Sequence, residues 1–258
     1  MIDYLLPLLF IFVAFIYSSV GLGGGSSYIA IMSIIAVPYQ LIPTTSLTLN
    51  LVVTSIGIIN FWRKGHARVK LIFPFLITSI PMAYFAGTLQ LDESIFQFLL
   101  LITLIFVLIR IYVINSLSFS RELTPYLKWV FIFGLGAILG FIAGAVGIGG
   151  GIYLVPLVVM FGLGTIKEAA AAGAMFVWVN SLAGVIARYN SGTFDAKFIS
   201  PLIIAVVIGG FAGSYFGSTK FEPQSIQKIM GAIIIVAVLS LIHISEPTRP
   251  RLLSYAVF

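Results

Sequence analysis

Long apolar runs, separated by short polar or charged stretches, organise the whole chain. Ten such runs can be drawn, roughly 4–20, 26–37, 42–62, 71–90 and 95–114, then 128–146, 152–163, 166–187, 198–217 and 225–242. A membrane-crossing helix needs about 20 residues at 1.5 Å rise per residue. Eight runs come close to that length. The second run of each group of five has only about 12 residues, closed by Pro38 in one case and Gly162 in the other. Those two are too short to cross a full bilayer unaided.

Both short runs follow the same interruption. Residues 21–25 read GLGGG and residues 147–151 read GIGGG, so Gly21, Gly23, Gly24 and Gly25 stand 126 residues before Gly147, Gly149, Gly150 and Gly151. Ser55 and Ser181 keep that offset, as do the Ala-Gly pairs at 86–87 and 212–213, while Pro74 and Pro201 differ by 127. The pattern predicts an internal duplication, with a first membrane repeat over 1–120 and a second over 121–238. The polar stretch from Ser116 to Thr124 is the linker. Five crossings per repeat would make the halves inverted. Re-entrant short segments would leave four crossings and parallel halves. Inverted repeats are expected, because paired broken helices typify that arrangement.

Composition narrows the class. The 258 residues are 60% hydrophobic and 9% charged, against roughly a quarter charged in soluble proteins. The fold class is therefore an all-α integral membrane protein that crosses the membrane several times. Strands of an outer-membrane barrel would alternate apolar and polar residues, and these runs do not. The first run lacks a basic n-region and an A-x-A site, so it reads as a retained helix rather than a signal peptide. With no cysteine, disulfides, thiolate metal sites and a cysteine nucleophile are excluded. The net charge of +6 has no basic domain behind it, so it points to orientation in the bilayer rather than nucleic acid. Arg63, Lys64, Arg68 and Lys70 put loop 63–70 inside. Loop 89–94 has no Lys or Arg and is read as outside, and the linker as inside again. Charges in the second half are too evenly spread to orient it.

Backbone groups inside hydrocarbon must be satisfied within the protein. Glycine clusters let a helix end and the chain turn at positive φ. A helix restarting after the turn points its N–H groups and positive dipole end back into the break. Two such breaks meeting near the midplane would form an anion site without a charged side chain. The competing role for the glycines is close helix packing. Dinucleotide and P-loop readings fail: Ser26 and Ile152 stand where G-x-G-x-x-G needs glycine, and no Gly-Lys-Ser/Thr follows.

The two motifs VGLGGGSSYIAI (20–31) and GAVGIGGGIYLVPLV (144–158), followed by TTSL (44–47) and VNSLAG (179–184), resemble the TauE/SafE (DUF81) family of sulfite exporters. The resemblance covers both repeats to about residue 238. It implies movement of sulfite, a sulfonate or a related organic anion across the cytoplasmic membrane, with export as the implied direction. One departure is that Ala169 to Ala172 stand where the first half has Pro43 to Ser46, so the second half is poorer in hydroxyls.

Other polar residues complete the candidate site. Ser46, Asn50 and Thr54 recur every four residues and share one helix face. Asn180 and Ser181 lie at matching depth in the second half. Such groups could donate to an oxyanion or serve as interhelical hydrogen bonds. The expected substrate-binding set is Gly21, Gly23, Gly24, Gly25, Ser26, Thr45, Ser46, Asn50, Gly147, Gly149, Gly150, Gly151, Asn180 and Ser181. Thr165 and Glu168 have the spacing of a capping box. His66 sits in a basic loop, and Arg188 is expected to snorkel from a helix end toward water. No His, Asp or Glu cluster lies at membrane depth, so no enzymatic activity, metal or cofactor is expected. The partners expected are a small anion and the lipid bilayer, with no nucleic acid; assembly as a homo-oligomer is compatible with the sequence. The rival functions are uptake of another organic acid anion and a non-transporting membrane subunit. Finally, residues 239–258 resemble the translation of a transposase-type sequencing adapter, most closely over LSLIHISEPTR and SYAVF. That tail is expected to be non-native and to carry no function.

Overall fold

The computed structural model describes residues 2–89, 91–112, 125–161, 163–189, 192–219, 234–235 and 238–239. The linker 116–124 and the adapter-like tail beyond 239 lie outside the described residues, as does most of the tenth apolar run. Nine helices form among the described residues: α1 (Ile2–Ser19), α2 (Gly25–Ile34), α3 (Leu41–Arg63), α4 (Val69–Thr88), α5 (Glu93–Tyr112), α6 (Pro125–Val146), α7 (Gly151–Met160), α8 (Ile166–Arg188) and α9 (Ala196–Thr219). Five of them, α3, α4, α6, α8 and α9, are long and apolar enough to cross a membrane. The two after the glycines have 10 residues each, about 15 Å of helix and half a hydrocarbon core.

Helices α3 and α8 form the centre. Most of each is enclosed by protein, and together they carry a buried polar row: Thr44, Thr45, Ser46, Asn50, Thr54, Asn180 and Ser181. Around them, Leu8, Phe12, Phe73, Phe98, Ile138, Ile204 and Phe211 face outward and exposed. An apolar belt of that kind is stable only against lipid.

Contacts along the helices fix their directions. From the start of α3 to its end, Thr44, Leu47, Ser55 and Gly57 meet Thr193, Gly184, Trp178 and Ala174 in turn. Residue numbers rise on α3 and fall on α8, so the two run antiparallel. Leu71 and Gly87 of α4 meet Gly164 and Ala187, so α4 runs with α8. Val53 and Asn60 of α3 meet Gly210 and Ser214, so α9 runs with α3.

Two glycine ridges extend this order to α1 and α6. Gly136, Gly140 and Gly144 of α6 lie against Phe75, Ser79 and Ala83 of α4. Gly209, Gly213 and Gly217 of α9 lie against Ile11, Phe15 and Ser19 of α1. At all six positions a Cβ would strike the partner's backbone. Without water to expel, helices in lipid associate through such close backbone packing.

The result is one set of directions for α1, α3 and α9 and the opposite set for α4, α6 and α8. Counterparts by the 126-residue offset (α1 and α6, α3 and α8, α4 and α9) therefore oppose one another. This is the inverted arrangement that the loop charges left open, and it is compatible with the duplication read from the sequence.

Candidate functional site

The glycine breaks take nearly the same shape in both halves. Gly24 and Gly150 precede α2 and α7 in the left-handed conformation, with φ of 94° and 77°. Gly21 and Gly147 are also left-handed. An L-residue with a side chain is strained there. A Cβ on Gly24 would also meet the Tyr28 ring, and one on Gly150 the Phe176 ring.

Both breaks fall beside the middle of the long central helices. Val177 is the midpoint of α8 and touches the Cβ positions of Gly23, Gly149 and Gly151. Asn50, close to the midpoint of α3, lies against Gly23 and Gly25. Its Nδ2 donates to Ile148 O at 3.3 Å in the opposite break, and its Oδ1 is buried without a partner. One turn earlier, Ser46 Oγ donates to Gly147 O at 2.8 Å and lies 3.4 Å from Gly25 O. The first half's α3 thus clasps both breaks through polar side chains. The second half's α8 holds them with small and apolar residues: Ala170 under Gly21, Gly173 opposite Val155, and Val177.

A small hollow lies between the breaks. Tyr17, Leu22, Gly23, Gly24, Gly25 and Ser26 line it from the first half, and Ile148, Ile152 and Val177 from the second. In α2 the first amide to bond back along the helix is that of Tyr28, to Gly24 O at 3.0 Å. The amides of Gly25, Ser26 and Ser27 are therefore the donors at the helix start. In α7, Tyr153 and Leu154 bond back to Gly150 O, so that helix start also faces its break.

The expected site residues separate into groups. Gly23, Gly25, Ser26, Ser46, Asn50, Gly147, Gly149, Gly151 and Ser181 come together around the breaks. Ser181 Oγ is buried, has no hydrogen-bond partner and approaches Gly149. Gly24 lines the cavity and, with Gly21 and Gly150, shapes the turns in the left-handed conformation. Thr45 is buried on α3 with an unpartnered hydroxyl. Asn180 Nδ2 donates to Phe176 O of its own helix at 2.9 Å, and its Oδ1 has no partner. Thr54 likewise bonds back to Asn50 O. Tyr17, absent from the sequence-based set, lines the cavity.

Two peripheral expectations differ in outcome. Thr165 and Glu168 do form the capping box, and Glu168 also meets Arg68 at 3.3 Å. Arg188 does not snorkel to water. Only 7% of it is exposed, and it packs beside Gly87 and donates to Ala145 O at 3.2 Å, two residues before Gly147. The carbonyl end of α6 attracts a cation, which offsets part of the cost of burying it. His66 stays in the loop after α3, its ring tilted against Phe61. Partial burial and Lys167 push its pKa below the ordinary value.

The family model for the sulfite exporter TauE/SafE matches residues 6–241. The chain belongs to the TauE/SafE family. As a TauE/SafE protein it is a multi-pass membrane protein of a transporter family. It is 31% identical over 243 residues to the probable membrane transporter protein y4hK of Sinorhizobium fredii, covering 92% of this chain and 97% of the relative. It is 25% identical over 247 residues to the probable membrane transporter protein YjnA of Bacillus subtilis, covering 90% and 96%. It is 28% identical over 260 residues to the probable membrane transporter protein MJ0441 of Methanocaldococcus jannaschii, covering 89% and 92%. No solved structure matches this TauE/SafE chain significantly.

Proposed function

We propose that this protein is a permease for a small anion, sulfite or an organosulfonate, and that it works as an exporter. The observation that carries this reading is the cavity between the two breaks, faced by the N-terminal turn of α2 and the start of α7. Helix starts offer unpaired N–H groups and positive dipole ends, and so favour an oxyanion without a fixed counter-charge. The outward direction and the sulfur chemistry rest on the family's description alone.

The test is flux into and out of proteoliposomes holding purified protein, with sulfite, sulfate, sulfoacetate, taurine and lactate offered in turn. Saturable flux of sulfite or sulfoacetate, absent from empty vesicles, is the expected result. Saturable lactate flux without either sulfur anion would replace the reading with an organic acid permease. No flux of any of the five would leave a non-transporting membrane subunit as the better account.

A further inference from the structure

The cavity has one side chain cluster that the glycine breaks do not explain. Tyr17 OH lies 2.8 Å from Ser26 Oγ and 2.7 Å from Ser27 Oγ. All three residues are buried, at 1%, 1% and 0% exposure. Tyr17 and Ser26 line the cavity, and Ser27 stands behind them in the first turn of α2. The unpartnered, buried Oδ1 of Asn50 lies against Gly23 in the same wall.

Proton counting gives this cluster a direction. A phenol has one O–H, so Tyr17 can donate to only one serine and must accept from the other. If Ser27 donates to Tyr17, then Tyr17 donates to Ser26, and the Ser26 hydrogen is left to point into the cavity. The reverse order spends the Ser26 hydrogen on Tyr17. An anion in the cavity favours the first order, and each bond in the chain polarises the next.

We infer that Tyr17 is a positioning residue for the substrate, through a directed chain from Ser27 to Tyr17 to Ser26 that turns the Ser26 hydroxyl toward the bound anion. The inference rests on the proposed anion site. The second half has no equivalent: Ala143, Ile152 and Tyr153 stand 126 residues beyond Tyr17, Ser26 and Ser27, and Tyr153 OH donates to Thr103 O instead. Binding is therefore one-sided. The anion is held by the start of α2, with Ile148 and Ile152 as an apolar wall opposite. Halves that match in backbone differ in chemistry, and the hydroxyls decide which of the two helix starts holds the ligand.

The test is a double-mutant cycle on the full chain in proteoliposomes, with sulfite as the probe. Tyr17→Phe keeps the ring and removes only the hydroxyl. It should raise KM roughly tenfold, the scale of a lost hydrogen bond to a charged group, with Vmax little changed. Ser26→Ala should do the same, and the double variant should be no worse than Ser26→Ala alone, because both remove one chain. Additive effects, or a Tyr17→Phe variant with wild-type KM, would overturn the inference. A fall in Vmax and melting temperature at constant KM would mean that Tyr17 only braces α2, which also overturns it. If Tyr17→Phe does not fold, Ser27→Ala takes its place in the cycle under the same criterion of non-additivity. Absence of saturable wild-type flux of all five compounds would sink the anion site and this inference together; where sulfoacetate or lactate moves and sulfite does not, that anion replaces sulfite as the probe. Saturable wild-type flux with an unmoved KM would sink this inference alone.

Discussion

Asn50, in the third helix of the first half, donates its side-chain amide to the backbone carbonyl of Ile148, in the glycine break of the second half. The bond closes a polar contact between segments 98 residues apart. It occupies one of the two hydrogens on Nδ2 and ties the two breaks together, so Asn50 works as a clasp whatever its second hydrogen does.

The clasp predicts an order among substitutions. Asn50→Ala loses the bond and should cost about 1–3 kcal/mol through the unsatisfied Ile148 carbonyl. Asn50→Asp should be worse, because an ionised carboxylate cannot donate and would face that carbonyl. Melting temperatures of the purified variants check the order, and an Asp variant as stable as the Ala variant would remove the clasp.

The left-handed glycines predict a functional loss at two matching positions. Gly24→Val and Gly150→Val should stop transport, since a β-branched residue is strained at positive φ and collides with Tyr28 or Phe176. The comparison is flux at equal yield of folded protein. Wild-type rates in both variants would show that the turn shape does not matter to the site.

The glycine ridges predict a stability loss without any link to ligand. Gly140→Leu and Gly213→Leu place side chains into the backbones of α4 and α1 and should lower melting temperature sharply. Gly134→Leu on α6 is the control, because a Cβ there meets nothing within 4 Å. Equal effects at Gly134 and Gly140 would mean that helix propensity, not contact, decides the outcome.

The contacts of Glu168 predict a separation of roles at the start of α8. Glu168→Gln keeps an acceptor for the Thr165 amide and loses the charge pairing with Arg68. It should match Arg68→Ala, which is an exposed pair worth little and screened by salt. Glu168→Ala loses the cap as well and should melt lower than either, at low and high salt alike. Equal melting points for the Ala and Gln variants would assign the whole effect to the ion pair.

How much of this was legible in the chain depends on whether a feature has a local signature. The breaks are legible because a run of glycines inside hydrocarbon has few other uses, and its return after 126 residues singles it out. The inversion is not, because Arg188, Lys197 and the other second-half charges are too evenly placed, and one of them, Arg188, is buried against α6 instead of marking a loop. The ridges at Gly136, Gly140 and Gly144 and at Gly209, Gly213 and Gly217 have a local signature in their four-residue spacing, but which helix each one meets is set only by the fold. Tyr17 is illegible for a different reason. An aromatic residue in an apolar helix looks like core, and its serine partners lie on the far side of the break, where only the fold brings them near.

The glycine ridges also change what counts as a moving part. Each joins a helix of one half to a helix of the other through backbone contact, so α1 travels with α9 and α4 with α6. If the proposed site is exposed alternately to the two sides of the membrane, these ridges predict that the motion is not one of the first repeat against the second. A transport cycle that keeps both ridges intact moves mixed units, with the relative motion between the central helices, where Ser46 and Asn50 hold the breaks from one side and Val177 from the other. The natural absence of cysteine makes this directly testable. A thiol cross-link between cysteines introduced at Phe15 and Phe216, whose rings face each other across α1 and α9, should leave transport running, whereas one between Leu47 and Gly184, across α3 and α8, should arrest it; the opposite result would make the two halves of the sequence the moving bodies after all.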